Sequence, residues 1–67
     1  MIKLTINGQS VEIDGPIHLV EFLHSISVDI KLVAVAYNGE VIDKEKFPDI
    51  VLNKDDNLEI VRPVGGG

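Results

Sequence analysis

Three glycines, Gly65, Gly66 and Gly67, follow Val64 at the end of a 67-residue chain, and the group there that could do chemistry is the Gly67 carboxylate. Residues without a Cβ leave the backbone slim and able to lie extended in a channel too narrow for side chains. With a reference pKa of about 3.3–3.7 the carboxylate is ionised at neutral pH and is a poor electrophile until something activates it. Taken alone, the same glycines read equally as an idle terminus or a scar of cloning.

The other candidates carry less. His18 and His24 stand six positions apart, which an ideal helix puts on different faces, and neither Cys nor a His-x-x-x-His spacing accompanies them, so no metal role is expected. Asp43 with Glu45, and Asp55 with Asp56, pair acids without a base or nucleophile at a supporting spacing, and they read as solvated turns. Tyr37 and Phe47 read as core. The glycine run follows a strand pattern and precedes no helix, so it cannot cradle a phosphate as a P-loop does.

Composition narrows the classes. A chain of 67 residues is one domain near the lower limit for an unstapled core, a size at which roughly 60% of the unfolded surface is buried. Its 45% hydrophobic content argues against disorder. The absence of Cys excludes a disulfide framework, a thiolate metal site and a cysteine nucleophile, and fits a reducing compartment. Six Lys and Arg against eleven Asp and Glu give a net charge of -5, which repels a nucleic-acid backbone and favours basic protein partners; it also serves plain solubility. Met1 leads into a strand-like pattern, without the basic flank and apolar run of a signal peptide. No stretch approaches the ~20 apolar residues of a membrane span, so a soluble cytoplasmic protein is the expectation.

The elements that must position the tail follow from periodicity. Ile2, Leu4 and Ile6, then Val11 and Ile13, alternate at the strand period, and Asn7-Gly8 between them suits a type I′ turn, so the spacing predicts a hairpin over 2–13. Asp14-Gly15-Pro16 breaks it, and Leu19, Phe22, Leu23 and Ile26 then take helical spacing, predicting a helix from about His18 to Ile26 with Glu21 at the capping-box position. Leu32 to Tyr37 is a nearly continuous apolar run, the pattern of a strand buried on both faces, and Asn38-Gly39 turns it into Glu40-Val41-Ile42. Asp43 to Phe47 reads as one helical turn that Phe47 anchors and Pro48 stops. Ile50 to Leu52 is an apolar patch, Asn53 to Asn57 a polar turn, and Leu58 to Val61 a last strand. Pro63 cannot donate to a ladder, so pairing ends near Arg62 and 63–67 is expected to project as a flexible tail from a domain spanning 1–62.

A hairpin, a helix and then further strands are accommodated by one mixed sheet that grips the helix on one face. Crossover handedness sets the last strand parallel to the first, between it and the third. The expected fold class is therefore α+β, a ubiquitin-like β-grasp of four to five strands around one main helix.

At this point the chain resembles a known family, the ThiS group of β-grasp sulfur carriers in thiamine biosynthesis. The residues that carry the resemblance are Ile2-x-Leu4-x-Ile6-Asn7-Gly8, Leu19 to Leu23, Val33 to Ile42, Asp56-x-Leu58-Glu59-Ile60 and Gly66-Gly67. The resemblance implies that Gly67 is adenylated by an ATP-using activating enzyme related to ubiquitin-activating enzymes. Sulfur from a cysteine-desulfurase relay then gives a thiocarboxylate, which donates to a thiazole synthase. It makes Gly66 the slim neighbour, gives Gly65 and Val64 a role in threading, and casts the chain as a protein co-substrate that binds no cofactor itself. Two residues depart from the family pattern: His18 stands where Thr or Ser often opens the helix, and Asp55-Asp56 replaces a Gly-Asp turn, which requires an ordinary turn at Asp55. A molybdopterin-synthase small subunit, a tRNA-thiolation carrier and a non-catalytic β-grasp binding module are the alternatives on the same fold.

Overall fold

In the computed structural model, which describes residues 1–62, both Asn-Gly pairs form the turns their chemistry allows. Asn7 and Gly8 take φ of 51° and 80°, Asn38 and Gly39 take 51° and 86°, all in the left-handed region that a type I′ turn needs. Asn tolerates that region because its short polar side chain bonds locally. The first turn joins β1 (Ile2–Ile6) to β2 (Gln9–Ile13). After it come β3 (Ile17–His18) and α1 (Leu19–Ser25), and the second turn joins β4 (Ala34–Tyr37) to β5 (Glu40–Ile42). The last strands among the described residues are β6 (Val51–Leu52) and β7 (Asn57–Val61).

The main sheet runs β2-β1-β7-β4-β5. β7 pairs parallel to β1 and antiparallel to β4, so the last strand in sequence lies at the centre, as the crossover argument requires. Leu19, Phe22 and Leu23 of α1 are buried against Leu4, Val33, Val35, Phe47, Leu52 and Leu58, a core without a buried polar or charged side chain among the described residues. The fold is the expected α+β grasp of one sheet on one helix.

Several boundaries differ from the sequence expectation. α1 is one residue shorter at each end. His18 is its N-cap, extended at φ −64° and ψ 141°, and makes no side-chain cap bond, so the capping box does not form. His18 instead belongs to β3, which pairs with β6 in a second, two-stranded sheet that no periodicity signals at this length. The turn after β5 is a 3-10 helix, Lys44–Asp49, that passes through Pro48 rather than stopping before it. Proline lacks an amide hydrogen yet holds a helical φ, so the tight turn continues one residue beyond the ring before it ends.

β4 is not buried on both faces. Val33 and Val35 point into the core while Ala34 is exposed, and Leu32, 60% exposed, belongs to a 3-10 turn over Ile30–Leu32. The apolar run is continuous because its outward positions are Ala, and the helix covers one face only.

The turn before β7 is not ordinary either. Asp55 sits at φ 67°, the left-handed region where a glycine would be unstrained. Asp is among the few residues that adopt it at modest cost. Its amide donates to the Lys3 carbonyl at 2.9 Å, which ties the turn to β1.

Candidate functional site

Val64, Gly65, Gly66 and Gly67, the residues expected to carry and thread the reacting carboxylate, lie outside the described residues. What the structure places is the strand that leads to them. β7 ends at Val61, paired with Ala34, so pairing stops where the Arg62-Pro63 sequence says it must. β7 is central: β4 pairs it through Val61, while β1 pairs it only as far as Leu58, beyond which Asn7 Oδ1 accepts from Ile60 N.

Both Asn-Gly turns also reach β7 with their side chains. Asn7 N–H donates to the Leu58 carbonyl at 2.9 Å, and Asn7 Oδ1 accepts from Ile60 N at 2.8 Å. On the other flank, Asn38 N–H donates to the Asn57 carbonyl at 2.7 Å, while Asn38 Oδ1 accepts from Asn57 N at 2.8 Å. The sequence reading used these asparagines for their backbone only. Their second role has one readable signal, that Asn stands at both first turn positions where Gly would serve the turn equally well.

A network closes the start of β7. The Asp56 carboxylate accepts from Tyr37 Oη at 2.7 Å, Asn53 N at 2.8 Å and Asn38 Nδ2 at 3.2 Å. Asp56 is therefore a structural acceptor rather than a solvated turn acid, and Tyr37 is half core and half polar anchor. Partial burial pushes the Asp56 carboxyl upward, but the bonds from Tyr37, Asn53 and Asn38 outweigh it and hold it below the ordinary carboxylate value. Tyr37 is pushed up from 10.0 to about 12, chiefly because its hydroxyl donates to Asp56, with burial and the Asp56 charge adding to the shift.

These directions fix a pH dependence. The bonds Asp56 accepts are fully present above its unfolded value of 3.8 and are lost as pH falls through the lower folded value; the Tyr37 bond is present below 10.0 and lost as pH rises through about 12. Tyr37→Phe is expected to cost about 1 kcal/mol at pH 7, at the lower end because both groups face solvent. Urea denaturation across pH checks it: the difference from wild type shrinks in strong acid and again in strong alkali.

Beside the end of β7 the outer sheet face carries an apolar strip. Ala34, Ala36, Val41 and Val61, with Glu59 among them, line a shallow depression of about 130 Å³. Val41 is 77% exposed and Val61 59% exposed. The alanines keep the depression open, since a larger residue at either position would fill it.

His18 and His24, expected on different faces, both line one groove of about 330 Å³ with Val20, Glu21 and Pro48, because His18 precedes the helix and lies off its wheel. Among the described residues, no group of three or more His, Cys, Asp or Glu is placed to hold a metal. No helix among them is long and apolar enough to cross a membrane.

Comparison with known proteins adds sequence and shape. The model of the ThiS family matches residues 4–67. The sulfur carrier protein ThiS of Bacillus subtilis (strain 168) is 35% identical over 65 residues, 96% of this chain and 98% of that protein. A thiazole synthase of Paramagnetospirillum magneticum is 35% identical over 66 residues, 98% of this chain; the chain spans only 20% of that protein's length. The crystal structure of a thiamine biosynthesis protein (ThiS) from Geobacter metallireducens superposes with a TM-score of 0.85 at 32% identity, covering 98% of this chain and all of that one.

Proposed function

The chain belongs to the ThiS family of sulfur carriers, and from that membership we propose that the carboxylate of Gly67 is adenylated and converted to a thiocarboxylate that supplies sulfur for thiazole formation. An ATP-using activating enzyme couples the carboxylate to AMP and releases pyrophosphate. The acyl-adenylate is then a good electrophile. Sulfur comes from a cysteine-desulfurase relay, because the chain has no thiol of its own, and it replaces the oxygen that leaves with AMP. The loaded tail enters a thiazole synthase, where Gly66 and Gly65 pass a constriction that a side chain would block and Val64 engages its mouth. The chain acts as a protein co-substrate and takes no cofactor; ATP is used by the activating partner.

The observation that carries this reading is the place of β7. A central strand, paired with β1 through Leu58 and with β4 through Val61, ends there, and the glycines follow it in sequence within a few residues. The apolar strip of Ala34, Ala36, Val41 and Val61 beside that end is the surface we assign to partner docking. The thiazole synthase relative with a matching stretch supports thiazole formation as the destination of the sulfur.

Intact-mass and C-terminal peptide mass spectrometry of the protein, co-expressed with an activating enzyme and a cysteine desulfurase, tests the reading. A gain equal to the exchange of oxygen for sulfur, confined to the peptide that ends at Gly67, is expected. The absence of that gain, with the same enzymes competent on a known carrier, overturns it.

A further inference from the structure

In a parallel pair, the amides of one strand bond carbonyls on either side of the facing residue. The pairing of β1 with β7 stops at Ile6 and Leu58 because the backbone turns into the left-handed region at Asn7, φ 51°. A strand that continued straight would offer its own carbonyl to the Ile60 amide. Here Asn7 Oδ1 takes that place at 2.8 Å, while Asn7 N–H keeps its bond to the Leu58 carbonyl. The side chain thus adds one rung to the ladder after the backbone has left it. Asn38 does the same on the antiparallel side, but at Asn57, the far end of β7 from the tail.

We propose that Asn7 is a positioning residue for sulfur loading: its side-chain rung at Ile60 fixes the direction in which β7 delivers the tail to the activating enzyme. The proposal rests on the sulfur-carrier reading above. With the rung, the last part of β7 is held along both edges; without it, Glu59 to Val61 stays paired along the β4 edge and swings about that edge. A carboxylate several residues further on then arrives in a wider spread of directions, and the fraction in line with the α-phosphate of ATP falls. Ala34, Ala36 and Val41, the part of the outer strip on β4 and β5, are untouched by the change, so docking there is preserved while reaction is slowed.

Asn7→Gly isolates the effect, since Gly tolerates the same positive φ and keeps the turn while removing the acceptor. Asn38→Gly is the control: it loses the matching bond to Asn57 N at the other end of the strand, and with it the bond from Asn38 Nδ2 to Asp56. Asn7→Asp retains both an acceptor and tolerance of the turn. The wild type and all three variants are compared by Tm, by hydrogen exchange at the Ile60 amide, and by ATP–pyrophosphate exchange with the cognate activating enzyme.

Asn7→Gly is expected to speed exchange at Ile60 and to lower kcat about tenfold at unchanged KM, inside the roughly 10²-fold that a misplacement of about an ångström can cost. Asn38→Gly, which loses two bonds, lowers Tm at least as much and leaves kcat near wild type, and Asn7→Asp restores most of kcat. Wild-type kcat in Asn7→Gly, an equal fall in Asn38→Gly, or a rise in KM alone overturns the positioning role while leaving the carrier reading intact. Failure of the wild type itself to support exchange overturns both.

Discussion

Deleting Gly67, or replacing Gly66 with Val, is expected to leave the thermal midpoint of the protein unchanged and to reduce sulfur loading to below detection. The first half follows from the ladder: pairing ends at Val61, and the core of Leu4, Leu19, Leu23, Val35, Phe47, Leu52 and Leu58 is complete before either glycine. The second half follows from the chemistry. Deletion puts the carboxylate one residue short of its place, and geometric tolerance at a reacting centre is well under the ~3.3–3.6 Å that a residue spans. Gly66→Val retains the carboxylate but adds a β-branched side chain to an arm that must enter a narrow channel. Calorimetry together with C-terminal mass spectrometry separates the two halves. Loading of the Gly66→Val protein at the wild-type rate would show that the tail needs no slimness at that position.

The largest loss of stability is expected at Phe47. It lies on a 3-10 turn rather than on the sheet or helix, yet its ring is 1% exposed and fills the space between that turn and the core. Phe47→Ala removes the transfer energy of the ring and leaves a cavity, about 3–5 kcal/mol together. At about 0.05–0.15 kcal/mol per residue, a domain of this size has only some 3–9 kcal/mol to lose. Urea unfolding is expected to show a midpoint shifted by half or more, with Val41→Ala, on the open face, as a near-silent control. A Phe47→Ala loss under about 1 kcal/mol would mean that the turn collapses to refill the space.

The parts of this fold that the sequence displayed were those where one residue type has few physical options. Asn-Gly admits a type I′ turn, so both hairpins were readable, and Pro63 cannot continue a ladder, so the end of β7 was too. The parallel placement of β7 came from the order of elements and the handedness of crossovers, not from its own residues. β3 and β6, two residues each, were hidden because a pairing that short has no period to detect. The apolar run from Leu32 to Tyr37 suggested two buried faces because Ala counts as apolar whether it faces a helix or solvent. Asp55 and Asp56 suggested solvated acids, since nothing local says that one will adopt a left-handed φ and the other will collect bonds from the distant Tyr37 and Asn38 as well as from nearby Asn53. The side-chain roles of Asn7 and Asn38 were hidden for a related reason: Asn-Gly is a common type I′ pair, so the one signal, Asn where Gly would also serve, is already accounted for by the turn.

The central position of β7 also governs the protein's manufacture. Its partners Thr5 and Ile6 are translated long before Asn57 and Leu58. Until then the β1-β2 hairpin and the β4-β5 hairpin have no strand to join them, and the helix has half a sheet to rest on. Such long sequence separation slows closure relative to local pairing. A nascent chain stalled short of residue 57 presents two open sheet edges and an uncovered apolar face, the features that draw chaperones and proteases. Closure of the sheet therefore waits on the synthesis of β7, and quality control at the ribosome acts on a chain whose two hairpins are not yet joined.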